Sequence, residues 1–297
     1  MGLGANDSLS PGETTNPFFH APMQTLRAWF GKIPTRDDGV LIGENAILVP
    51  TDARLGVDGL PQSGTGQTTI FTGVNAPAAI GEHYGPYPNE TLRALLKRDS
   101  VFLRLERLGF HTAFANAYPP FFLERLKLRQ ARRTATLQAA LAAKIKIRAV
   151  DDLARGEAVS GLAMDNRYWV EQGAPVPLIT PYSAGQNLMR LAQNFSFTAF
   201  EYAPTDMVGH KTNRANVLAT LNEIDACWGG IAAQMDAAND LVIITSDHGN
   251  VEDWSVKGHT LNPVPTILLG ARREKAAQQI HSLADITPTI LKLLTDE

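Results

Sequence analysis

The chain has a single cysteine, Cys227, in 297 residues. An intramolecular disulfide is therefore excluded, and a lone cysteine within a helical pattern is expected to be buried. No run of apolar residues approaches the length of a membrane span. No early segment combines a charged start, an apolar stretch and a small-residue cleavage site, so these residues give no evidence for secretion, and a reduced, cytoplasmic compartment is expected. An excess of positive charge is missing too. Lys and Arg number 27 against 30 Asp and Glu, a net charge of −3. That balance gives no basis for a nucleic-acid or anionic-membrane partner. Basic residues do gather within 124–133 and 144–148, where the expected reading is a solvated helix face.

What is present is an ordinary globular composition, 44% hydrophobic and 19% charged. This suffices for a real core, in one large α/β domain or two small ones. Residues 1–25 read as loop, and 25–30 as a short helix. An apolar strand is expected at 45–50, then a Gly/Pro loop at 56–66 and a helix at 67–73. Residues 89–109 carry Leu92, Leu95, Leu96, Phe102, Leu105 and Leu108 at helical spacing. A strand follows at 111–117, then an Ala-rich helix over 130–149. The second half alternates: a helix at 183–194, a strand at 195–203, a long helix at 213–238, strands at 240–246 and 265–270, and a closing helix at 285–294. This order predicts a mostly parallel central sheet with helices on both faces, and sites at the carboxyl ends of its strands. Residues 74–194 hold fewer strands and are expected to contribute a small partial cap to a single domain, 1–297.

The chemistry is concentrated in the last third. The apolar run 241–244 leads into Thr245-Ser-Asp-His-Gly-Asn250, and His259 follows eleven residues after His248. Upstream, Asp206 and His210 lie four apart. A D-H dipeptide or a D-x-x-x-H pair alone carries little information, because aspartates cap helices and i,i+4 pairs form plain hydrogen bonds. Their conjunction with Gly258-His-Thr-Leu-Asn-Pro-Val-Pro265 is more specific. Pro263 and Pro265 stiffen the backbone next to His259 at low entropic cost. Carboxylate plus imidazole is a ligand mix that Mn²⁺ and Zn²⁺ accept.

A second motif is Gly59-Leu-Pro-Gln-Ser-Gly-Thr-Gly-Gln-Thr-Thr-Ile-Phe-Thr-Gly73. A hydroxyl in a Gly loop before a helix is a candidate nucleophile, since the helix start offers free N–H groups and positive potential to a phosphate. Ser63 and Thr65 are the candidates; a turn with a Ser/Thr cap is the plainer alternative. An NTPase phosphate loop is a rival reading that fits poorly, because Gln67 stands where the lysine should be, Pro61 where the first glycine should be, and no apolar strand precedes.

Together these stretches resemble the alkaline phosphatase superfamily of metalloenzymes, and within it the cofactor-independent phosphoglycerate mutase branch. S-D-H-G-N, D-M-V-G-H and H-T-x-N-P-V-P match that branch closely, and residues 56–67 match its V-G-L-P-x-x-x-x-N-S-E-V-G-H loop. The resemblance implies an alkaline-phosphatase-like three-layer α/β sandwich. It implies two divalent ions, Mn²⁺ or Zn²⁺, one held by Asp206, His210 and His259, the other by Asp247, His248 and Ser63. Ser63 falls on the nucleophilic serine. Gln67 stands where the branch has a histidine, and Gln67 and Asn250 are expected to contact substrate. The implied function is a phosphatase or phosphomutase acting on a small phosphorylated metabolite through phosphoserine. A phosphodiesterase, a sulfatase or an impaired metal-binding protein are the alternatives; no cysteine near the loop could become a formylglycine.

Two departures bear on this. Residues 74–194 are shorter than the mutase insert and lack its set of substrate-gripping arginines. The family also begins with a strand and D-G-x-G, supplying one more metal-binding aspartate, and Met1–Gly4 aligns with the end of that stretch. The expectation is that the natural chain starts upstream of Met1. Asp7 and Asp52 are nearby carboxylates that follow no strand in the right frame.

Overall fold

The computed structural model describes residues 1–6, 14–211 and 213–295. Its principal sheet has four strands in the order β1 (Leu41–Ile42), β2 (Ala46–Thr51), β8 (Val264–Gly270) and β7 (Leu241–Ile244). Two further ladders pair β3 (Thr112–Phe114) with β6 (Phe197–Ala199), and β4 (Asn116–Ala117) with β5 (Val159–Ser160).

The α/β class follows the alternation in the sequence, but the strand directions are more mixed than the parallel sheet expected from it. β3–β6 and β4–β5 are parallel, whereas every ladder of the four-stranded sheet is antiparallel. The connections explain the difference. β1 and β2 form a hairpin closed by the Gly43 amide on the Ala46 carbonyl at 2.8 Å. Residues 245–263 return from β7 to β8 with no crossover helix between them. A parallel neighbour needs such a crossover; a direct return yields an antiparallel one.

Side-chain alternation sends the two faces of β2 and β8 into different helical layers. Ala46, Leu48, Ile267 and Leu269 join one cluster with Leu26, Leu221 and Trp228. Ile47, Val49 and Leu268 join another with Ala276, Ile286 and Leu293. All seven residues of β8 are buried. Each fully buried Leu or Ile contributes about 1.5–3 kcal/mol, so the sheet is a floor held from both sides, and the loops at its ends project the polar residues. Residues 74–194 have a cluster of their own, centred on Phe102, Phe114 and Leu137, which is continuous with Ala199 and Leu291.

Several elements begin or end away from their periodic signal. The helix expected over 89–109 is two, Glu90–Asp99 and Val101–Arg107, because the Ser100 backbone turns extended (ψ 148°) and its hydroxyl caps Leu103. The Ala-rich segment is helical only over Ala135–Ala142, after a Thr134 cap. Arg148, expected on a solvated face, is buried and donates to the carbonyls of Phe114 and Glu157 at 2.8 Å each. Cys227 lies inside the long helix Arg214–Gln234; burial and the nearby Glu223 charge push its thiol up to about 12. No helix among the described residues is long and apolar enough to cross a membrane.

Candidate metal centre

The helix after the Gly/Pro loop spans Ser63–Thr72, four residues earlier than its sequence signal. Its first turn holds Gly64 and Gly66, weak helix formers whose value here is steric. A Cβ on Gly64 would lie 2.6 Å from the Tyr84 carbonyl, and one on Gly66 2.5 Å from the Asp247 carbonyl. Glycine thus lets the helix start sit directly against the end of β7. Ser63 is the first helical residue, and its Oγ lies 2.8 Å from His248 Nε2. Thr65 is fully buried and turns back to the Gln62 carbonyl at 3.0 Å, away from that contact.

The short helix Pro204–Gly209 follows β6 and presents Asp206, with His210 closing its end. Asp247 and His248 leave the end of β7, and His259 lies in the return to β8. Asp206 Oδ1 is 3.3 Å from His210 Nε2, 3.4 Å from His259 Nε2 and 3.9 Å from His248 Nε2. His210 Nε2 and His259 Nε2 are 3.2 Å apart. Asp247 Oδ2 stands 3.6 Å from His248 Nε2. The rings of His248 and His259 stack with centroids 3.7 Å apart. The five side chains named from spacing therefore meet in one place, with Ser63. Ligand atoms of Asp206, His248 and His259 all lie within 4.8 Å of one another.

Outer contacts fix the rings. His259 Nδ1 meets the Pro61 carbonyl at 2.5 Å, and His248 Nδ1 faces the Gly249 carbonyl at 3.3 Å. Both leave Nε2 pointing inward, an arrangement that orients metal-binding imidazoles. Burial holds the His248 pKa below the ordinary value. Burial opposes charge on His259 too, but the Asp206 hydrogen bond and the Pro61 carbonyl outweigh it and raise its pKa. Burial would raise Asp206; the histidines around it lower it instead.

Gln67 and Asn250, expected to face substrate, are turned into the frame. The Gln67 amide donates to Glu201 Oε1 at 3.0 Å. Asn250 is 1% exposed, donates to Asp206 Oδ1 at 3.2 Å, and keeps an enclosed Oδ1 without a partner. Two carboxylates went unseen in the sequence. Glu252, fully buried, accepts the amides of Gly2 (2.6 Å) and Asn250 (2.7 Å) and the hydroxyl of Thr260, tying together the loops that carry His248 and His259. Glu201 accepts from Gln67 and Thr134. Neither has a periodic or spacing signal; the only hint was a charged residue inside an otherwise apolar or motif-bearing stretch. Asp52 caps its own turn through the amides of Arg54 and Leu55. Asp7 lies outside the described residues.

Known proteins match this chain in part. The 2,3-bisphosphoglycerate-independent phosphoglycerate mutase of Antithamnion sp. is 37% identical over 111 residues, covering 34% of this chain and 22% of the relative. That of Thermomicrobium roseum is 35% identical over 115 residues, covering 35% and 22%. These alignments span about a fifth of the length of those relatives. Among solved structures, TAB5 alkaline phosphatase superposes with a TM-score of 0.43 at 12% identity, over 97% of this chain and 92% of that one. Leishmania mexicana phosphoglycerate mutase gives 0.39 at 16%, over 66% and 36%. The family profile that matches is the Metalloenzyme superfamily, over residues 104–296, a segment that contains all five carboxylate and imidazole groups of the cluster, and the chain belongs to that superfamily.

Proposed function

We infer that the protein is a metal-dependent phosphoryl-transfer enzyme, a phosphatase or phosphomutase acting on a small phosphorylated metabolite through a phosphoserine at Ser63. The observation that carries this reading is the 2.8 Å contact between Ser63 Oγ, at a helix N-terminus, and His248 Nε2, inside a cluster of two aspartates and three histidines. The curated relatives that the chain matches are phosphoglycerate mutases, which supports the phosphoryl-transfer class.

The donor set fits divalent ions. Carboxylate oxygens and inward Nε2 atoms converge, with the outer nitrogens of His248 and His259 already engaged, and among the described residues the side chains that approach Asp206 are Asn250 and the three histidines. Asp206, His210 and His259 would hold one ion, and Asp247, His248 and Ser63 the other. Such ions lower the pKa of a serine hydroxyl and neutralise charge on a transferring phosphoryl group. Mn²⁺ and Zn²⁺ suit these ligands best.

The chain's own part is positioning. The start of the Ser63 helix, where the amides of Ser63 and Gly64 precede the Thr65 amide already held by the Tyr84 carbonyl at 2.9 Å, offers the positive end of its dipole as a seat for phosphate oxygens. Ser63 Oγ attacks phosphorus as its proton passes to solvent, and the ester oxygen departs with the bonding pair and takes up a proton from solvent. A water molecule then hydrolyses phosphoserine in a phosphatase, or a second hydroxyl takes the phosphoryl group in a mutase. Residues 74–194, acting as a small partial cap, would decide between them by excluding or admitting water. The buried thiol of Cys227 suits a reducing, cytoplasmic compartment.

The test is a panel of phosphate monoesters, phosphodiesters and sulfate esters assayed with Mn²⁺, Zn²⁺ or Mg²⁺. Metal-dependent turnover of monoesters is expected. Preference for diesters or sulfates would move the protein to another reaction, and no turnover with any metal would leave a metal-binding protein only.

A further inference from the structure

Glu201 stands just past the end of β6, five residues before Asp206, and forms no salt bridge among the described residues. Its Oε1 accepts from Gln67 Nε2 and its Oε2 from Thr134 Oγ1, each at 3.0 Å. Its backbone is bracketed by one side chain: the Glu201 amide donates to Asn116 Oδ1 at 2.8 Å, and Asn116 Nδ2 donates to the Glu201 carbonyl at 2.6 Å. Burial raises its pKa, and the Asp247 charge adds to that. Enclosing a carboxylate among neutral donors is unfavourable, so its use must lie in what it holds.

It holds Gln67. That residue lies four after Ser63 in the same helix, so both side chains project from one face. Gln67 Oε1 is enclosed and unpartnered, which leaves the bond to Glu201 as the contact that orients the amide. The segment from Glu201 to Asp206 thus grips the Ser63 helix at one end and delivers a cluster aspartate at the other. We propose that Glu201 is a positioning residue: through Gln67 it sets the first turns of the Ser63 helix, and so the place of Ser63 Oγ, relative to the Asp206 end of the site. The catalytic consequence rests on the phosphoryl-transfer reading; the structural one does not.

Four variants test it: Gln67→Ala, Glu201→Ala, the double variant, and Glu201→Gln, which retains an acceptor for Gln67. With p-nitrophenyl phosphate and Mn²⁺, each alanine variant should lower kcat about 10- to 100-fold, with KM changed by less than roughly threefold. The double variant should be no worse than the weaker single, because the two residues act in series, and Glu201→Gln should recover most of the loss. Independently, amide exchange at Gly66, which donates to the Gln62 carbonyl at 2.8 Å, should quicken about tenfold in both single alanine variants. Additive losses, or unchanged Gly66 exchange, overturn the proposal. If the parent protein turns over no ester while Gly66 exchange responds as stated, the phosphoryl-transfer reading fails and the positioning role stands. If it turns over esters and Glu201→Ala leaves kcat intact, only the positioning role fails.

Discussion

Ser63 and Thr65 are both small hydroxyls in the same turn, and their surroundings separate them. Ser63 Oγ faces His248 Nε2, whereas Thr65 Oγ1 is committed to the Gln62 carbonyl. Ser63→Ala should reduce turnover by about 1,000-fold or more. Thr65→Ala should leave kcat within an order of magnitude while lowering stability by about 1 kcal/mol. Parallel kinetics and urea melts check both, and the reverse order would transfer the nucleophile role. A pH effect belongs to Glu252. Burial alone would raise its pKa, but the Met1 ammonium, the Thr260 hydroxyl and the Gly2 amide outweigh it and hold it below the ordinary 4.5. A carboxylate depressed on folding stabilises above its unfolded pKa and loses that contribution as pH falls through the folded value. The stability gap between wild type and Glu252→Gln should therefore be wide at neutral pH and shrink below about pH 4.5. A gap constant with pH would show that the charge contributes nothing. The cluster residues were legible because motif spacing encodes them. Glu201 and Glu252 were not, because a carboxylate inside the frame acquires its meaning from donors far off in sequence, Thr134 and Gly2 among them.

At the scale of elements, the crossing of the helices Pro181–Ala192 and Arg214–Gln234 is made at backbone distance. A Cβ on Gly185 would strike the Cys227 carbonyl, and one on Gly230 the Tyr182 carbonyl. Gly→Ala within a helix usually gains up to about 1 kcal/mol. Here Gly185→Ala and Gly230→Ala should instead destabilise by about 1–3 kcal/mol through overpacking, read as a lower urea midpoint. A gain would mean that the helices can separate without loss. Helices and buried strands declared themselves through periodicity, as β8 and the Arg214 helix show. Boundaries did not. Ser100 splits one apolar stripe into two helices, and the Ser63 helix begins on glycines that its close contacts with Tyr84 and Asp247 explain. Strand direction was also hidden, since the direct return from β7 to β8 leaves no hydrophobic signature distinct from that of a parallel strand.

For the whole molecule, the cluster links distant stretches of chain: the Ser63 loop, the end of β6, the end of β7 and the return to β8. An ion bound there would favour the folded state by mass action, by about 2.7 kcal/mol at a concentration 100 times Kd. Mn²⁺ or Zn²⁺ should raise Tm in the wild type, and Asp206→Asn and His259→Ala should lose most of that rise. Equal rises in all three proteins would place the ion elsewhere. The account's central claim is covalent chemistry at Ser63 in this cluster. It is tested most directly by quenching the Mn²⁺-loaded protein in acid during turnover of a phosphate monoester and mapping phosphopeptides by mass spectrometry. The account predicts phosphate on Ser63, absent without metal and absent in His248→Ala. Turnover with phosphate on Thr65, or on no residue of the Ser63 helix, would contradict it.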